Sequence, residues 1–315
     1  MPFETIGSPL LWAGFIVFVL AMLAIDLGVF HKNAHEVTLK EAGIWSAVWV
    51  ALAVVFNVGV YHWFGSERAL EFTTGYLIEK ALAVDNIFVF VIIFSTFAVP
   101  AIYQHRVLFW GVLGALVMRA GFILAGGAFL QRFHWAIYVF GALLAVTGVK
   151  LLVQRNQAMH PEGNPLVRWF QKVFPMTREF HGGKFLVLKN GRRYATPLLL
   201  ALVTVEVTDL IFAIDSIPAI FAVTSDPFIV FTSNIFAILG LRSLYFMLAG
   251  IVTKFAYLKV GLSFVLIFVG AKMLLIDVYK VPITASLGVI AGILALSIVV
   301  SLLKQPSTRA ANADA

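Results

Sequence analysis

Nine apolar segments, each about as long as a membrane-spanning helix, constrain the fold of this chain more than any other feature. They cover approximately residues 9–30, 42–64, 72–98, 105–128, 135–153, 196–222, 228–252, 258–277 and 282–303. A helix needs ~20 apolar residues to cross the hydrocarbon core of a bilayer. With 61% hydrophobic and 12% charged residues, the chain also differs from soluble globular proteins. We therefore predict an all-α polytopic membrane protein with about nine transmembrane helices.

Lys and Arg are distributed unevenly between the two sides of this predicted membrane protein. Fifteen of the 23 lie in predicted loops opposite the N-terminus or in the C-terminal tail, and three lie in loops on the N-terminal side. Short loops that are rich in Lys and Arg stay in the cytoplasm. We therefore predict that the N-terminus lies outside the cell membrane and that the C-terminus lies in the cytoplasm.

A short acidic motif occurs twice within the apolar segments. In each copy two carboxylates are six residues apart and a small polar residue follows the second, namely Glu79, Asp85 and Asn86 in the first copy and Asp209, Asp215 and Ser216 in the second. Glu206 lies one turn before Asp209, where the first copy has Tyr76. A charge at the middle of a membrane helix costs about 3 kcal/mol, so such residues face the protein interior, where they pair, bind ions or carry protons. The two motifs are the predicted functional site.

The similarity between the two halves of the chain extends beyond the acidic motif. Arg119 precedes Lys150 by 31 residues, and Arg242 precedes Lys272 by 30. Each half contains three predicted spans, and because three is odd, the second half is predicted to enter the membrane upside down relative to the first. Inverted repeats with a site near the midplane are typical of secondary transporters. The alternative is that these residues recur by chance.

The repeats define the predicted organisation of the chain. It comprises two N-terminal transmembrane helices, a first three-helix repeat, a basic cytoplasmic connector, a second three-helix repeat, and a last transmembrane helix with a cytoplasmic tail, which cover residues 1–71, 72–153, 154–195, 196–277 and 278–315. Residues 185–194 of the connector predict a β-hairpin that turns at Asn190 and Gly191. Two roles for the connector stay open, since its basic residues suit either anionic lipid headgroups or a protein partner.

Pro218 follows the second acidic motif and predicts a distortion there. Proline has no N–H to donate to the carbonyl of Ile214, and its ring clashes with that carbonyl. We expect the helix to kink or unwind near Asp215 and Ser216, which would turn Asp215 inward and leave a backbone oxygen free as a ligand. Phe88 takes the corresponding position in the first half. The second half is therefore predicted to offer more oxygen ligands than the first half.

The polar side chains of the two motifs favour a hard divalent cation. Carboxylate, amide, hydroxyl and carbonyl oxygens suit Mg²⁺, Ca²⁺ and Mn²⁺, whereas Zn²⁺ and copper prefer imidazole or thiolate. The chain has no cysteine, and all seven histidines fall in predicted loops or at span ends. The cation is therefore the predicted substrate, and no resident cofactor is expected. The alternative is that the acids pair with Lys80, Arg119 and Arg242, to hold helices together or relay protons.

These motifs resemble those of a known family. The stretches 79–86, 206–224 and 233–242 are similar to the TerC family of integral membrane proteins, and the whole chain resembles its Alx-type members. The resemblance implies a bacterial inner-membrane protein that takes part in metal-ion homeostasis, chiefly manganese export, in a family named for tellurite resistance.

The residues and the resemblance together predict a secondary transporter that exports a divalent cation, with Mn²⁺ favoured, by alternating access between the repeats. The predicted first ligands are Asp85, Asn86, Asp209, Asp215 and Ser216, with Glu79 and Glu206 as ligands or proton carriers and with Arg119, Arg242 and Lys80 as compensating charges. The chain has no G-x-x-x-x-G-K-[ST] loop, so the energy is expected from an ion or proton gradient, from the membrane potential or from simple downhill flow. Exchange for protons is one form of this coupling.

Two other classes of function stay open. The first is an intramembrane enzyme, although no catalytic signature surrounds the acids and no enzymatic activity is predicted. The second is a membrane accessory protein that supplies metal to other proteins or docks with them. The expected partners are the cation, membrane lipid and, through residues 154–195, a protein, whereas nucleic acid is not expected.

Overall fold

The computed structural model describes residues 5–30, 38–133, 135–153, 169–170, 172–177, 179–189, 191–249 and 257–303. For residues 26–30, 85, 88, 131, 215 and 259 it describes the backbone but not the side chain. The elements are α1 (Pro9–Phe30), α2 (Leu39–Phe64), α3 (Ser66–Thr96), α4 (Ala101–Arg132), α5 (Ala136–Val153), β1 (Leu186–Lys189), β2 (Arg192–Ala195), α6 (Pro197–Phe221), α7 (Pro227–Leu239), α8 (Leu241–Leu248), α9 (Leu258–Leu274) and α10 (Ile283–Leu303). The predicted all-α polytopic architecture is confirmed.

The helices agree with eight of the predicted spans, and the remaining span is divided. Six stretches are long and apolar enough to cross a membrane by length and composition, namely α2, most of α4, α5, α6, α7 with α8, and α10. Shorter apolar stretches lie in α1 and α9, and α3 is as long as any of them. The span predicted at 228–252 is not one helix, because the chain turns at Gly240 between α7 and α8.

Local sequence signals explain where α6 and α7 begin. The side chain of Thr196 accepts a hydrogen bond from the backbone N–H of Leu199, and Pro197 takes the first helical position. Asp226 caps α7 in the same way by accepting from the N–H of Phe228, again with a proline next to it. Each capping oxygen accepts from one of the orphan N–H groups of a helix start, and the proline that follows has no N–H of its own to satisfy.

The predicted unwinding at the second acidic motif does not occur. Helix α6 is helical from Pro197 to Phe221 and includes Pro218. The proline lies in the last turns of α6, so only a few residues follow it before the helix ends. The expectation of unwound backbone near Asp215 and Ser216 is therefore wrong.

Helix α7 lies at the centre of the molecule. Every residue of α7 except Phe231 is buried. Helices α2, α3 and α4 all contact it, and α1 packs its aromatic side chains against it, with Trp12 and Phe15 on Phe228. A helix that is surrounded by others presents its polar side chains to protein, so polar residues of α7 are placed to take part in a shared site.

Six of the seven helices that lie within the predicted repeats pack in three pairs. Helix α3 contacts α7, α4 contacts α6, and α5 contacts α9. In the last pair Gly141 lies against Gly270, and Gly148 lies against the backbone of Ser263, so the two helices run antiparallel at very close distance. Small residues permit such close packing of membrane helices. This is the pairing that two inverted repeats would produce, and the division into repeats stays a prediction.

The predicted hairpin of the connector is confirmed. Strands β1 and β2 pair antiparallel, with Leu186 opposite Ala195 and Lys189 opposite Arg192. Gly191 has a φ of +74°, a conformation that suits glycine in a tight turn. Asn190, the other predicted turn residue, lies outside the described residues.

Candidate functional site

Arg119 of α4 is the centre of a buried polar cluster that joins four helices. Its guanidinium binds both oxygens of Asp209, with Nη2 donating to Oδ1 at 3.0 Å and Nε donating to Oδ2 at 3.2 Å. Nη1 donates to Oε1 of Glu79 and, at 3.4 Å each, to Oγ of Ser216 and Oδ1 of Asn234. We call these five residues the Arg119 cluster. A two-point contact between Arg and a carboxylate is among the strongest polar contacts in proteins.

The Arg119 cluster lies deep in the helices. Asp209 is in the middle of α6, twelve residues from either end, and Glu79 is thirteen residues from the start of α3. At 1.5 Å per residue, this places both carboxylates about 18–20 Å from those helix ends. Arg119, Glu79 and Asp209 are at most 3% exposed. The predicted site residues therefore meet far from both aqueous surfaces, and they come from both halves of the chain.

The cluster contains more negative than positive charge among its described side chains. Two carboxylates, Glu79 and Asp209, face one guanidinium. Removing such groups from water costs several kcal/mol per ion, and that cost is offset only when each charge is paired and hydrogen-bonded. When both acids are ionised, the arrangement leaves one carboxylate charge in excess, which a further cation or a proton would neutralise.

Several polar atoms in and near the Arg119 cluster have no hydrogen-bond partner among the described residues. They are Oε2 of Glu79, Nδ2 of Asn234, Oδ1 of Asn86 and Oε2 of Glu206, and all four atoms are buried. An unpaired buried polar group costs about 1–3 kcal/mol. Three of the four atoms are oxygens of predicted site residues, so they are well suited to accept a cation or a proton donor.

Glu206 occupies a space that a glycine provides. A Cβ atom added at Gly114 of α4 would overlap the carboxylate of Glu206, and one added at Gly111 would lie 3.0 Å from Cγ1 of Val205. The two glycines allow α4 and α6 to approach each other, and the absence of a side chain at 114 leaves room for the carboxylate. The position of Glu206 thus depends on α4 as well as on its own helix.

Lys80, which was predicted as a compensating charge, contacts a backbone carbonyl in the described part of the chain, and its compensating role stays a prediction. Its Nζ donates to the carbonyl of Ala237 at 3.3 Å. This carbonyl lies at the end of α7, where the turn at Gly240 leaves helix carbonyls available. A Cβ at Gly240 would lie 2.9 Å from Nζ, so the glycine makes room for the ammonium group.

The remaining predicted site residues lie outside the Arg119 cluster or outside the described side chains. Asn86 is 2% exposed, and Arg242 is buried at the start of α8. Asp85 and Asp215 have helical backbones, and their side chains are not among those described. Their role as metal ligands stays a prediction. Among the described side chains, no three His, Cys, Asp or Glu residues form a group that could hold a metal ion.

Asn234 is a member of the cluster that the sequence analysis did not assign. It is fully buried on α7 and contributes its side-chain oxygen to Arg119. The signal was present, because an amide in an otherwise apolar span is rare and faces the protein interior. Asn234 lies outside both acidic motifs in the sequence, so its contact with Arg119 could not be predicted from their spacing.

Comparison with known proteins gives consistent results along the chain. The model of the integral membrane protein TerC family matches residues 64–309. An uncharacterized membrane protein of Myxococcus xanthus is 63% identical over 313 residues, which cover 99% of this chain and 98% of that protein. A putative membrane-bound redox modulator, Alx, of Escherichia coli (strain K12) is 50% identical over 308 residues, covering 95% of this chain and 96% of the relative. No solved structure matches.

Proposed function

Because this chain belongs to the TerC family of integral membrane proteins, we propose that it is a secondary transporter that exports a divalent metal cation, with Mn²⁺ as the principal substrate. The cation is cargo and is bound at the Arg119 cluster and the acidic motifs next to it. The proposed location is the bacterial inner membrane, with the N-terminus in the periplasm and the C-terminus in the cytoplasm.

The observation that carries this proposal is the position of the Arg119 guanidinium. It lies between Glu79 of the first half and Asp209 of the second, and it binds both. A transported cation would need the same two carboxylates, so the guanidinium occupies the position of the substrate when no cation is bound. Entry of the cation would displace Arg119, and its departure would allow Arg119 to return.

The oxygen atoms in and around the cluster support a divalent cation of the Mn²⁺ and Mg²⁺ type. Carboxylates of Glu79, Asp209 and Glu206, the hydroxyl of Ser216 and the amide of Asn86 are all hard oxygen donors. Imidazole and thiolate, which zinc and copper prefer, are not among the described residues of the cluster. Asp85 and Asp215 are proposed as additional ligands on the basis of the sequence.

Alternating access requires that each end of the site can open in turn. At the end near the N-terminus, Asp226 accepts hydrogen bonds from Thr5 and Ile6, and Thr224 donates to Glu71 at 2.8 Å. At the opposite end an apolar cluster packs between the helices, with Phe94 and Val99 among its buried residues, and we propose it as the second closure. The first closure is polar and the second is apolar, and the proposed cycle opens one while the other stays closed.

The redox role in the name of the Alx relatives cannot arise from thiols of this chain. The chain contains no cysteine, so it can neither form disulfides nor exchange them. Under the proposed function, a redox effect would be indirect and would follow from the cellular content of a redox-active metal such as manganese. The second candidate function is that of an accessory protein that docks a partner through the connector. A measurement of manganese flux distinguishes this function from transport.

Manganese flux into proteoliposomes that contain only the purified protein tests the proposal. We expect flux in the parent protein and its loss in Asp209→Asn and Glu79→Gln, because each variant keeps size but removes a charge that a divalent cation needs. Loss of one charge-assisted contact costs about 1.5–3 kcal/mol, roughly tenfold to a hundredfold in affinity. Asp85→Asn and Asp215→Asn are expected to behave in the same way.

The matched control is Glu67→Gln, which changes an exposed acid at the start of α3, far from the cluster. It should leave the flux unchanged. If the parent protein shows no flux, the transporter proposal is wrong and the accessory role takes its place. If the parent and all of these variants transport equally well, the protein is a transporter but the cation is not bound by these acids.

A further inference from the structure

A cavity of about 550 Å³ lies between α1 and α4, apart from the Arg119 cluster. Its apolar wall is formed by Leu20, Leu23 and Ala24 of α1 and by Phe109, Trp110 and Leu113 of α4. The volume falls within the range of roughly 300–1,000 Å³ that is usual for small-molecule sites. Leu20 is 57% and Trp110 is 46% exposed, so the wall also faces the surrounding lipid. Such a wall suits a hydrocarbon chain.

One end of the same cavity is polar. Tyr103, His105 and Arg106 line it, together with Gly183 of the connector. The Arg106 guanidinium lies 5.3 Å from the centre of the Phe185 ring. A Cβ at Gly183 would lie 2.8 Å from its Nη1, so this glycine lets the guanidinium lie against the connector. No carboxylate forms an ion pair with Arg106 among the described residues. A positive charge is therefore held in place and is available to an anion.

The polar end lies on the side of the membrane that carries most of the basic residues. Helix α4 begins at Ala101, a few residues before Arg106, and the connector hairpin follows Phe185 directly. The hairpin adds the exposed basic residues Arg192 and Arg193 and the apolar side chain of Leu188, which is 74% exposed. The cytoplasmic leaflet contains anionic lipids that attract such basic segments.

We infer that this cavity binds one anionic phospholipid. An acyl chain lies along the apolar wall of α1 and α4, and the headgroup phosphate accepts hydrogen bonds from the Arg106 guanidinium. The bound lipid contacts both helices and the connector, so it fixes the connector against the membrane domain. An anionic headgroup is preferred to a zwitterionic one, because the latter brings its own cation close to Arg106. This site does not depend on the proposed transport activity.

Native mass spectrometry of the purified full-length protein tests the inference. The protein is incubated with equal amounts of phosphatidylglycerol and phosphatidylcholine that have the same acyl chains, and the retained lipid is counted. We expect phosphatidylglycerol to be retained about fivefold more than phosphatidylcholine, the effect of one basic residue near anionic lipid. Arg106→Gln should remove the preference, whereas Arg132→Gln, at the other end of α4, should keep it.

Two further variants keep the test decisive if Arg106→Gln does not fold. Ala24→Phe retains Arg106 but fills the cavity, so it should reduce the retention of both lipids. Gly183→Ala retains the charge but pushes the guanidinium aside, so it should weaken the preference. Equal retention of the two lipids by the parent protein, or the same preference in Arg106→Gln and Arg132→Gln, would overturn the inference. In either case a protein segment or a nonspecific lipid would be the occupant.

Discussion

Replacing Arg119 tests whether the guanidinium competes with the transported cation. In Arg119→Gln, Glu79 and Asp209 lose the positive charge that lies between them, while both stay buried. Removing one partner of a buried ion pair costs about 3–5 kcal/mol, because the remaining charge is left uncompensated. We therefore expect the variant to lose that much free energy of unfolding when no divalent cation is present.

Manganese should then restore much of the lost stability. At a concentration of about a hundred times the dissociation constant, a ligand that binds only the folded state stabilises it by ~2.7 kcal/mol. In the parent protein the metal must first displace Arg119, so the same concentration of Mn²⁺ should stabilise the parent less than the variant. Arg119→Lys keeps the charge but loses the two-point contact, and it should fall between the two.

The measurement is unfolding by SDS in mixed micelles, followed by tryptophan fluorescence, with MnCl₂ or with choline chloride at the same ionic strength. Arg132→Gln is the matched control, because Arg132 is exposed at the C-terminal end of α4, away from the cluster. An exposed charge contributes ~1 kcal/mol or less, and its loss should not respond to manganese. Equal stabilisation of parent and Arg119→Gln by Mn²⁺ would refute the competition argument.

Three further predictions concern the surroundings of the cluster and the topology. Gly114→Ala should displace the Glu206 carboxylate and slow manganese flux, whereas Gly121→Ala, a position on the same helix with open space around it, should transport like the parent. Thr224→Val removes the hydrogen bond that ties the start of α7 to α3, about 1 kcal/mol, and should speed hydrogen exchange in the first turn of α7. An alkaline phosphatase reporter fused after Asp226 should be active and one fused at the C-terminus inactive, whereas the reverse result would contradict the proposed orientation.

The all-α polytopic class and the approximate positions of most helices followed from the sequence, because length and apolarity are local properties of a segment. The Asn190-Gly191 pair predicted the hairpin for the same reason, since a tight turn depends on a few neighbouring residues. The turn at Gly240 had no such signal. One glycine hardly changes the mean hydropathy of an apolar span, so the turn could not be read from hydropathy. The role of Gly240 becomes clear in the structure, where Lys80 lies against the end of α7.

The candidate site was predicted in part. The acids were found because a buried charge in a membrane span is costly wherever it occurs. Their partners depended on how distant helices pack, so Asn234 was not assigned and Lys80 was expected to pair with an acid rather than a backbone carbonyl. The predicted unwinding at Pro218 was wrong, because the cost of a proline also depends on how much helix follows it, and α6 ends three residues after Pro218, at Phe221.

The contact between α5 and α9 restricts how the two halves can move. A Cβ at Gly270 would lie 2.6 Å from the carbonyl oxygen of Gly141 and 2.7 Å from the backbone N of Ala145. Sliding one helix along the other would carry these glycines onto positions that bear side chains, and the backbones would have to separate. Tilting about the contact leaves them together. The contact between α5 and α9 can therefore serve as a pivot. For the proposed transport cycle, this packing favours a rocking movement about the contact over an elevator-like translation.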